Sequence, residues 1–167
     1  MVKKEKACFG CGCFWGIQYV FDKVPGVLKT EVGYMGGDEK RFPSVSYEDV
    51  CSSETGYAEV VYIEYDSDKV SYEKLLDFFW KSHDPTTLNQ QAADFGSQYR
   101  SAIFYFNEQQ KKKAEESLKK YQKLIPKKIV TQITGAGKFV KAEDYHQKYA
   151  DKHGPRSCHI PRNPYLN

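Results

Sequence analysis

Three cysteines crowd the start of the chain, in the run Cys8-Phe9-Gly10-Cys11-Gly12-Cys13-Phe14-Trp15-Gly16. Thiols this close suit two kinds of chemistry. One is nucleophilic or redox chemistry, in which a thiolate attacks an electrophile. The other is metal or cluster binding by Cys8, Cys11 and Cys13, with Cys51 as a fourth ligand. Cys-x-Cys is uncommon in tetrahedral sites and no His lies near in sequence, which weighs against the metal reading. A plainer reading, a small buried hydrophobe at a strand–helix junction, also stays open. Cys13 stands where helical spacing begins, and the N–H groups at a helix start favour a negative charge. Phe14 and Trp15 follow it and can wall an apolar pocket, and Gly12 and Gly16 allow close backbone approach.

The elements that must hold these residues can be read from periodicity. Lys4–Phe9 reads as a first strand. Phe14–Lys23 has Phe14, Ile17, Val20, Phe21 and Val24 at helical spacing, and Pro25-Gly26 stops it. Val27–Met35 reads as a strand, followed by a polar loop of about ten residues after Gly36-Gly37. Tyr57–Tyr65 is rich in β-branched and aromatic residues and reads as a strand. Ser71 caps a helix whose apolar residues are Tyr72, Leu75, Leu76, Phe79 and Trp80. His83–Gln98 is long and irregular, which marks it as a functional loop. Ser101–Phe106 reads as a strand, Asn107–Ile125 as an amphipathic helix, Ile129–Thr134 as a strand and Glu143–His153 as a helix. The first six elements have the order of a split βαβ, ferredoxin-like unit. The fold class is therefore α+β, with a mixed or antiparallel sheet covered by helices.

The composition narrows the class. A chain of 167 residues corresponds to one domain, at roughly 100–200 residues each, here residues 1–167. The net charge of +3 points to neither nucleic acid nor a membrane. The eight lysines between Lys111 and Lys128 fall opposite an apolar stripe and read as a solvated helix face. No run of about 18 apolar residues is present, and no apolar stretch follows the basic opening residues, which argues against a membrane span or a secretory leader. A cytoplasmic, thiol-reduced protein is expected, where cysteines are more often catalytic or metal-binding than structural. The histidines are dispersed, and no metal site is expected from them. The 10 Phe, 13 Tyr and 2 Trp, 15% of the chain, exceed what core filling alone suggests.

The motif Gly12-Cys13-Phe14-Trp15-Gly16 resembles that of the type A peptide methionine sulfoxide reductases. The similarity continues through Pro25-Gly26-Val27, Gly33–Gly37, Ser46–Cys51, Thr55–Glu59, His83-Asp84-Pro85, Asp94–Ile103 and Ala142–Gln147. It covers nearly the whole chain in the family's order. The resemblance implies a two-layer α/β sandwich with a ferredoxin-like core. It implies a thiol-dependent peptide-methionine (S)-S-oxide reductase acting on proteins, peptides or free methionine sulfoxide, as a monomer. The class is the one that restores methionine from its sulfoxide.

By the same resemblance Cys13 is the nucleophile and Glu59 the proton donor. Tyr47 and Tyr99 hydrogen-bond the sulfoxide oxygen, Asp94 orders the site, and Phe14 and Trp15 surround the substrate methyl. Strand parity places Glu59 with Val61, Ile63 and Tyr65, an apolar setting that raises a carboxyl pKa. Cys158, in a tail over residues 154–167 with Gly154, Pro155 and Pro161 nearby, is the implied resolving thiol. Cys11 is its rival, and Cys8 and Cys51 have no assigned part. No bound cofactor is implied; thioredoxin or another dithiol is the reductant.

Overall fold

The computed structural model describes residues 2–154 and 162–166. The chain runs β1 (Lys4–Cys11), α1 (Phe14–Asp22), β2 (Val27–Met35), α2 (Tyr47–Cys51), β3 (Ala58–Asp66) and α3 (Tyr72–Lys81). Two short strands follow, β4 (Gln90–Gln91) and β5 (Asp94–Phe95), then a 3-10 turn at Ser97–Tyr99 and β6 (Ser101–Tyr105). The last part holds α4 (Glu108–Gln122), β7 (Gln132–Gly135), β8 (Val140–Lys141), a 3-10 turn at Asp144–His146 and α5 (Tyr149–His153). Six strands form one sheet in the order β7-β6-β1-β3-β2-β8. Its pairs are antiparallel except β6 with β7, which is parallel. The mixed sheet with helices is the α+β class expected. The central order β6-β1-β3-β2, made by two interleaved strand–helix–strand units, is consistent with a ferredoxin-like core.

Alternation along the strands sorts the core into two sides. Ala7, Phe9 and Cys11 of β1, with Val61, Ile63 and Tyr65 of β3, pack against Ile17 and Phe21 of α1 and Leu75, Leu76, Phe79 and Trp80 of α3. Cys8, Val60, Ala102 and Phe104 face the other way, with Met35 and Ala58. Helix α3 starts because the Ser71 hydroxyl accepts the Lys74 N–H at 3.1 Å. Helix α4 starts likewise on Asn107, whose Oδ1 accepts the Gln110 N–H at 2.8 Å.

Three segments differ from the sequence expectation. The loop after Gly36-Gly37 contains α2, a five-residue helix closed by a Ser46/Asp49 capping box. Five residues are too few for a periodic signal, and the cap alone makes the turn. The single helix expected over Glu143–His153 is broken at Lys148, which sits in the left-handed region at φ 57°. Tertiary bonds hold that break: the Gln147 side chain takes both the N–H and the C=O of Val32, and the Lys148 N–H donates to Gln18 Oε1 at 2.8 Å. The flexible tail expected over 154–167 is not free at residues 162–166. Asn163 is buried, its N–H donates to the Lys81 carbonyl at 3.0 Å and its Nδ2 to the Trp80 carbonyl at 2.8 Å. It thus satisfies orphan carbonyls at the end of α3.

His83, just after α3, is fully buried. Its Nδ1 lies 2.8 Å from the Phe79 carbonyl, and its Nε2 lies 2.7 Å from the Ser101 hydroxyl. The carbonyl can only accept, so Nδ1 carries the proton and Nε2 accepts from Ser101. Burial pushes the His83 pKa down from 6.5 to about 4. A lowered histidine pKa stabilises the fold above the unfolded value, and that stability is lost as pH falls toward the folded value. Denaturant unfolding is expected to show a loss of about 1.5 kcal/mol from this group between pH 6.5 and 5, the slope approaching 1.36 kcal/mol per unit below pH 6. A His83→Gln variant, less stable at pH 7, is expected to lose that part of the slope; an unchanged slope would contradict the assignment.

Candidate active site

Cys13 is the N-cap residue of α1, half-buried, with φ −59° and ψ 120°. The first turn of α1 carries no acidic side chain, so no neighbour there competes for the helix end. Gly12 sets the entry to that turn. Its φ is +94°, and a Cβ there would lie 2.7 Å from Cγ of Gln91. Gln91 is buried, and its amide is bonded to the backbone N–H and C=O of Asp84. The long 83–98 loop is therefore packed directly on the residue before Cys13.

Glu59, near the start of β3, is 1% exposed and lies on the helix-facing side with Val61 and Ile63. Its Oε1 accepts the N–H of Phe14 at 3.4 Å, which brings the carboxyl to the head of α1 next to Cys13. Three tyrosines surround it. Burial pushes the hydroxyl pKa values of Tyr34, Tyr47 and Tyr99 upward, and Glu59 beside them pushes further whenever it is ionised. All three therefore stay protonated and able to donate at neutral pH. Glu59 and Cys51 act electrostatically on both Tyr47 and Tyr99, which places the four side chains in one small region. Asp94, on β5 opposite Gln91, is close enough for its charge to raise Tyr99 as well.

The apolar side is built by Phe14 and Trp15. Phe14 is 1% exposed and packs on Tyr34 at 5.7 Å, Tyr47 at 6.5 Å and His146 at 5.3 Å between ring centroids. Trp15 stacks on Tyr149 at 3.9 Å, with the rings 11° apart. The indole N–H of Trp15 donates to His146 Nδ1 at 2.9 Å. Since an indole only donates, Nδ1 accepts and the neutral imidazole carries its proton on Nε2. Burial lowers the His146 pKa and favours that neutral form.

The structure thus gathers Cys13, Phe14, Trp15, Tyr47, Glu59, Asp94 and Tyr99 at one end of the sheet. Cys158 lies outside the described residues. Cys8 and Cys11 are not brought in: one is buried in each side of the core, and burial pushes both thiols well above their ordinary pKa. Their opposite directions also leave the Cys8, Cys11, Cys13 and Cys51 metal set without a common centre. Sequence reasoning missed Tyr34, Glu143, His146 and Tyr149. Glu143 accepts the Tyr47 N–H at 3.3 Å and the Tyr34 hydroxyl at 3.5 Å, so it anchors two rings of the site. The signal was the Ala142–Gln147 motif, which a regular-helix reading left without a direction.

Residues 5–167 match the family model for peptide methionine sulfoxide reductase. The chain belongs to this family. It is 50% identical over 160 residues to the peptide methionine sulfoxide reductase MsrA of Methanothermobacter thermautotrophicus, across 95% of this chain and 93% of that protein. A peptide methionine sulfoxide reductase of Brassica napus is 52% identical over 151 residues, which are 90% of this chain and 58% of the plant protein. The chain thus spans somewhat more than half the length of that relative. Reduced Mxr1 from Saccharomyces cerevisiae matches with a TM-score of 0.91 and 35% identity, across 99% of this chain and 93% of Mxr1. Mxr1 in complex with Trx2 matches at 0.62 with 25% identity, across 89% of this chain and 86% of Mxr1.

In this peptide methionine sulfoxide reductase family member, Gly12 controls how Cys13 enters α1. A Gly12→Ala change is expected to cost roughly 1–3 kcal/mol, from the left-handed backbone and the displaced Gln91. Denaturant unfolding checks this; a cost below about 0.5 kcal/mol, the ordinary surface range, would mean the turn relaxes freely.

Proposed function

We propose that the chain reduces the S epimer of methionine sulfoxide, in proteins, peptides or as the free amino acid, by a thiol-dependent cycle. The observation that carries this reading is a cysteine at the head of α1 with a buried carboxyl reaching that same helix end, Glu59 Oε1 to Phe14 N at 3.4 Å. A sulfoxide sulfur is a poor electrophile until its oxygen is protonated or hydrogen-bonded. The site therefore needs a nucleophile on sulfur, acid groups at oxygen and an apolar wall at the methyl.

The Cys13 sulfur attacks the sulfoxide sulfur while Glu59 gives a proton to its oxygen. Tyr47 and Tyr99, held protonated, donate hydrogen bonds to that oxygen. The oxygen is transferred to Cys13 as a sulfenic acid and methionine leaves, so the substrate gains the two electrons that Cys13 loses. A second thiol then condenses with the sulfenic acid, forming a disulfide and releasing water. We assign that thiol to Cys158. The burial of Cys8 and Cys11, with their thiols held protonated, supports looking outside the core for it. Thioredoxin or a comparable dithiol reduces the disulfide by exchange, returning both thiols. The known complex of the relative Mxr1 with Trx2 supports such a partner. No bound cofactor enters the cycle. A monomer in the cytoplasm, where dithiols stay reduced, completes the reading.

With excess dithiothreitol, the protein is expected to reduce the S epimer, and Cys13→Ser to abolish that turnover; full activity in Cys13→Ser would sink the mechanism. Glu59→Gln is expected to slow single-turnover formation of methionine by roughly 10²–10⁴-fold, the range for a positioned general acid. With thioredoxin as the reductant, Cys158→Ser should produce one equivalent of methionine and then stall. Continued turnover would instead place the resolving thiol at Cys11 or Cys8.

A further inference from the structure

Beside the 83–98 loop lies a cavity of about 400 Å³ with Thr87, Asn89, Ser97, Arg100, Ser101 and Gln132 in its wall. Among the described residues that line it none is acidic, and Arg100 is the one charged group. The Arg100 guanidinium is held from three directions. Its Nη1 donates to the Ser97 carbonyl at 2.9 Å, its Nη2 to the Gly36 carbonyl at 3.4 Å and its Nε to Gln132 Oε1 at 3.1 Å. Gly36 makes room for it: a Cβ there would stand 3.2 Å from Nη2. All three acceptors are neutral, and two of the five guanidinium N–H groups remain unused by them. Among the described residues no carboxylate lies within ion-pair distance of Arg100. Burial lowers its pKa, yet an arginine keeps its charge at neutral pH. A fixed, partly desolvated cation with spare donors is built to accept an anion.

The cavity is also tied to the Cys13 site. Tyr99 and Arg100 are consecutive, so the 3-10 turn that sets the tyrosine also sets the guanidinium. A Cβ at Gly10 would lie 3.2 Å from the Arg100 carbonyl and 3.3 Å from the Glu59 carbonyl, so those two backbones flank the same point of β1. Leu88, 71% exposed, gives the rim an apolar edge suited to a peptide chain. We propose that this cavity is a subsite for a carboxylate of the substrate peptide, an acidic side chain or the chain terminus a few residues from the methionine sulfoxide, held by the Arg100 guanidinium. The inference rests on the reductase reading and adds a preference among its peptide substrates.

The test is kcat/KM on short methionine sulfoxide peptides at low and high salt. One series places Asp or Asn at each flanking position; another compares a free C-terminal carboxylate with its amide. Wild type is expected to prefer Asp over Asn at one position, or carboxylate over amide, by roughly five- to tenfold, a typical value for a charge-assisted hydrogen bond open to solvent. The preference should sit mainly in KM and shrink with salt. The series that shows it tells a side-chain carboxylate from a terminal one. Arg100→Gln should bring the ratio near one. Gln132→Glu, which supplies a competing carboxylate at an exposed position, should do the same without removing the guanidinium. No preference in either series overturns the proposal. So does an Arg100→Gln variant that slows charged and neutral peptides alike, which a merely structural role would produce, or a preference that survives Gln132→Glu. If wild type reduces none of the peptides, the reductase reading fails and takes this inference with it.

Discussion

A buried carboxyl at the head of a helix is the constraint on which the site depends. Glu59 is 1% exposed and has to be accommodated by polar groups, because an unsatisfied carboxyl in an apolar interior is costly. The N-terminal N–H of Phe14 bonds one oxygen of that carboxyl, and Tyr34, Tyr47 and Tyr99 stand close enough to feel its charge. The same groups lie beside Cys13 and Phe14 at the head of α1. Accommodating the carboxyl and building the site are the same physical task.

Holding that arrangement requires segments far apart in sequence. Cys13 and Phe14 come from the β1–α1 junction, Tyr47 from α2, Tyr99 from the turn before β6, and His146 and Tyr149 from the last part of the chain. Each is anchored by bonds outside the site. Gln91 ties the 83–98 loop to itself through Asp84 and to Gly12 by contact. Gln147 and Lys148 tie the final segment to β2 and α1. The Trp15–His146 bond and the Trp15–Tyr149 stack then close the apolar wall. These supports fix the positions of the site side chains through packing and hydrogen bonds.

The cysteines show how environment separates identical side chains. Cys11 and Cys13 are two residues apart, yet one faces the core between β1 and the helices and the other caps α1. Burial keeps Cys11 and Cys8 protonated. Cys51, exposed on α2, is near enough to act electrostatically on Tyr47 and Tyr99 and so lies at the edge of the site. Strand parity and the end of β1 make this division, not the spacing of the thiols.

Much was legible in the sequence because it depends on local rules. The β-branched run at Tyr57–Tyr65, the Ser71 cap, the apolar spacing of α3 and α4, and the parity that turns Glu59 toward the helices all follow from periods of 2 and 3.6 residues. The motif around Cys13 and its continuation through Gln147 indicated the family. Other features needed the folded chain. Helix α2 is too short for a period, and the left-handed break at Lys148 exists because Gln18 and β2 bond to that segment. The placement of Glu143 and His146 against Tyr47 and Trp15 follows from that break. The cation at Arg100, without a carboxylate partner among the described residues, appears only once Gly36, Ser97 and Gln132 meet around it. The sequence by itself determined which elements form and which residues are able to react, since propensity, capping and alternation act over a few neighbours. Only the tertiary structure decided which of those residues meet, because such contacts join positions 40 to 130 residues apart through packing that no local window contains.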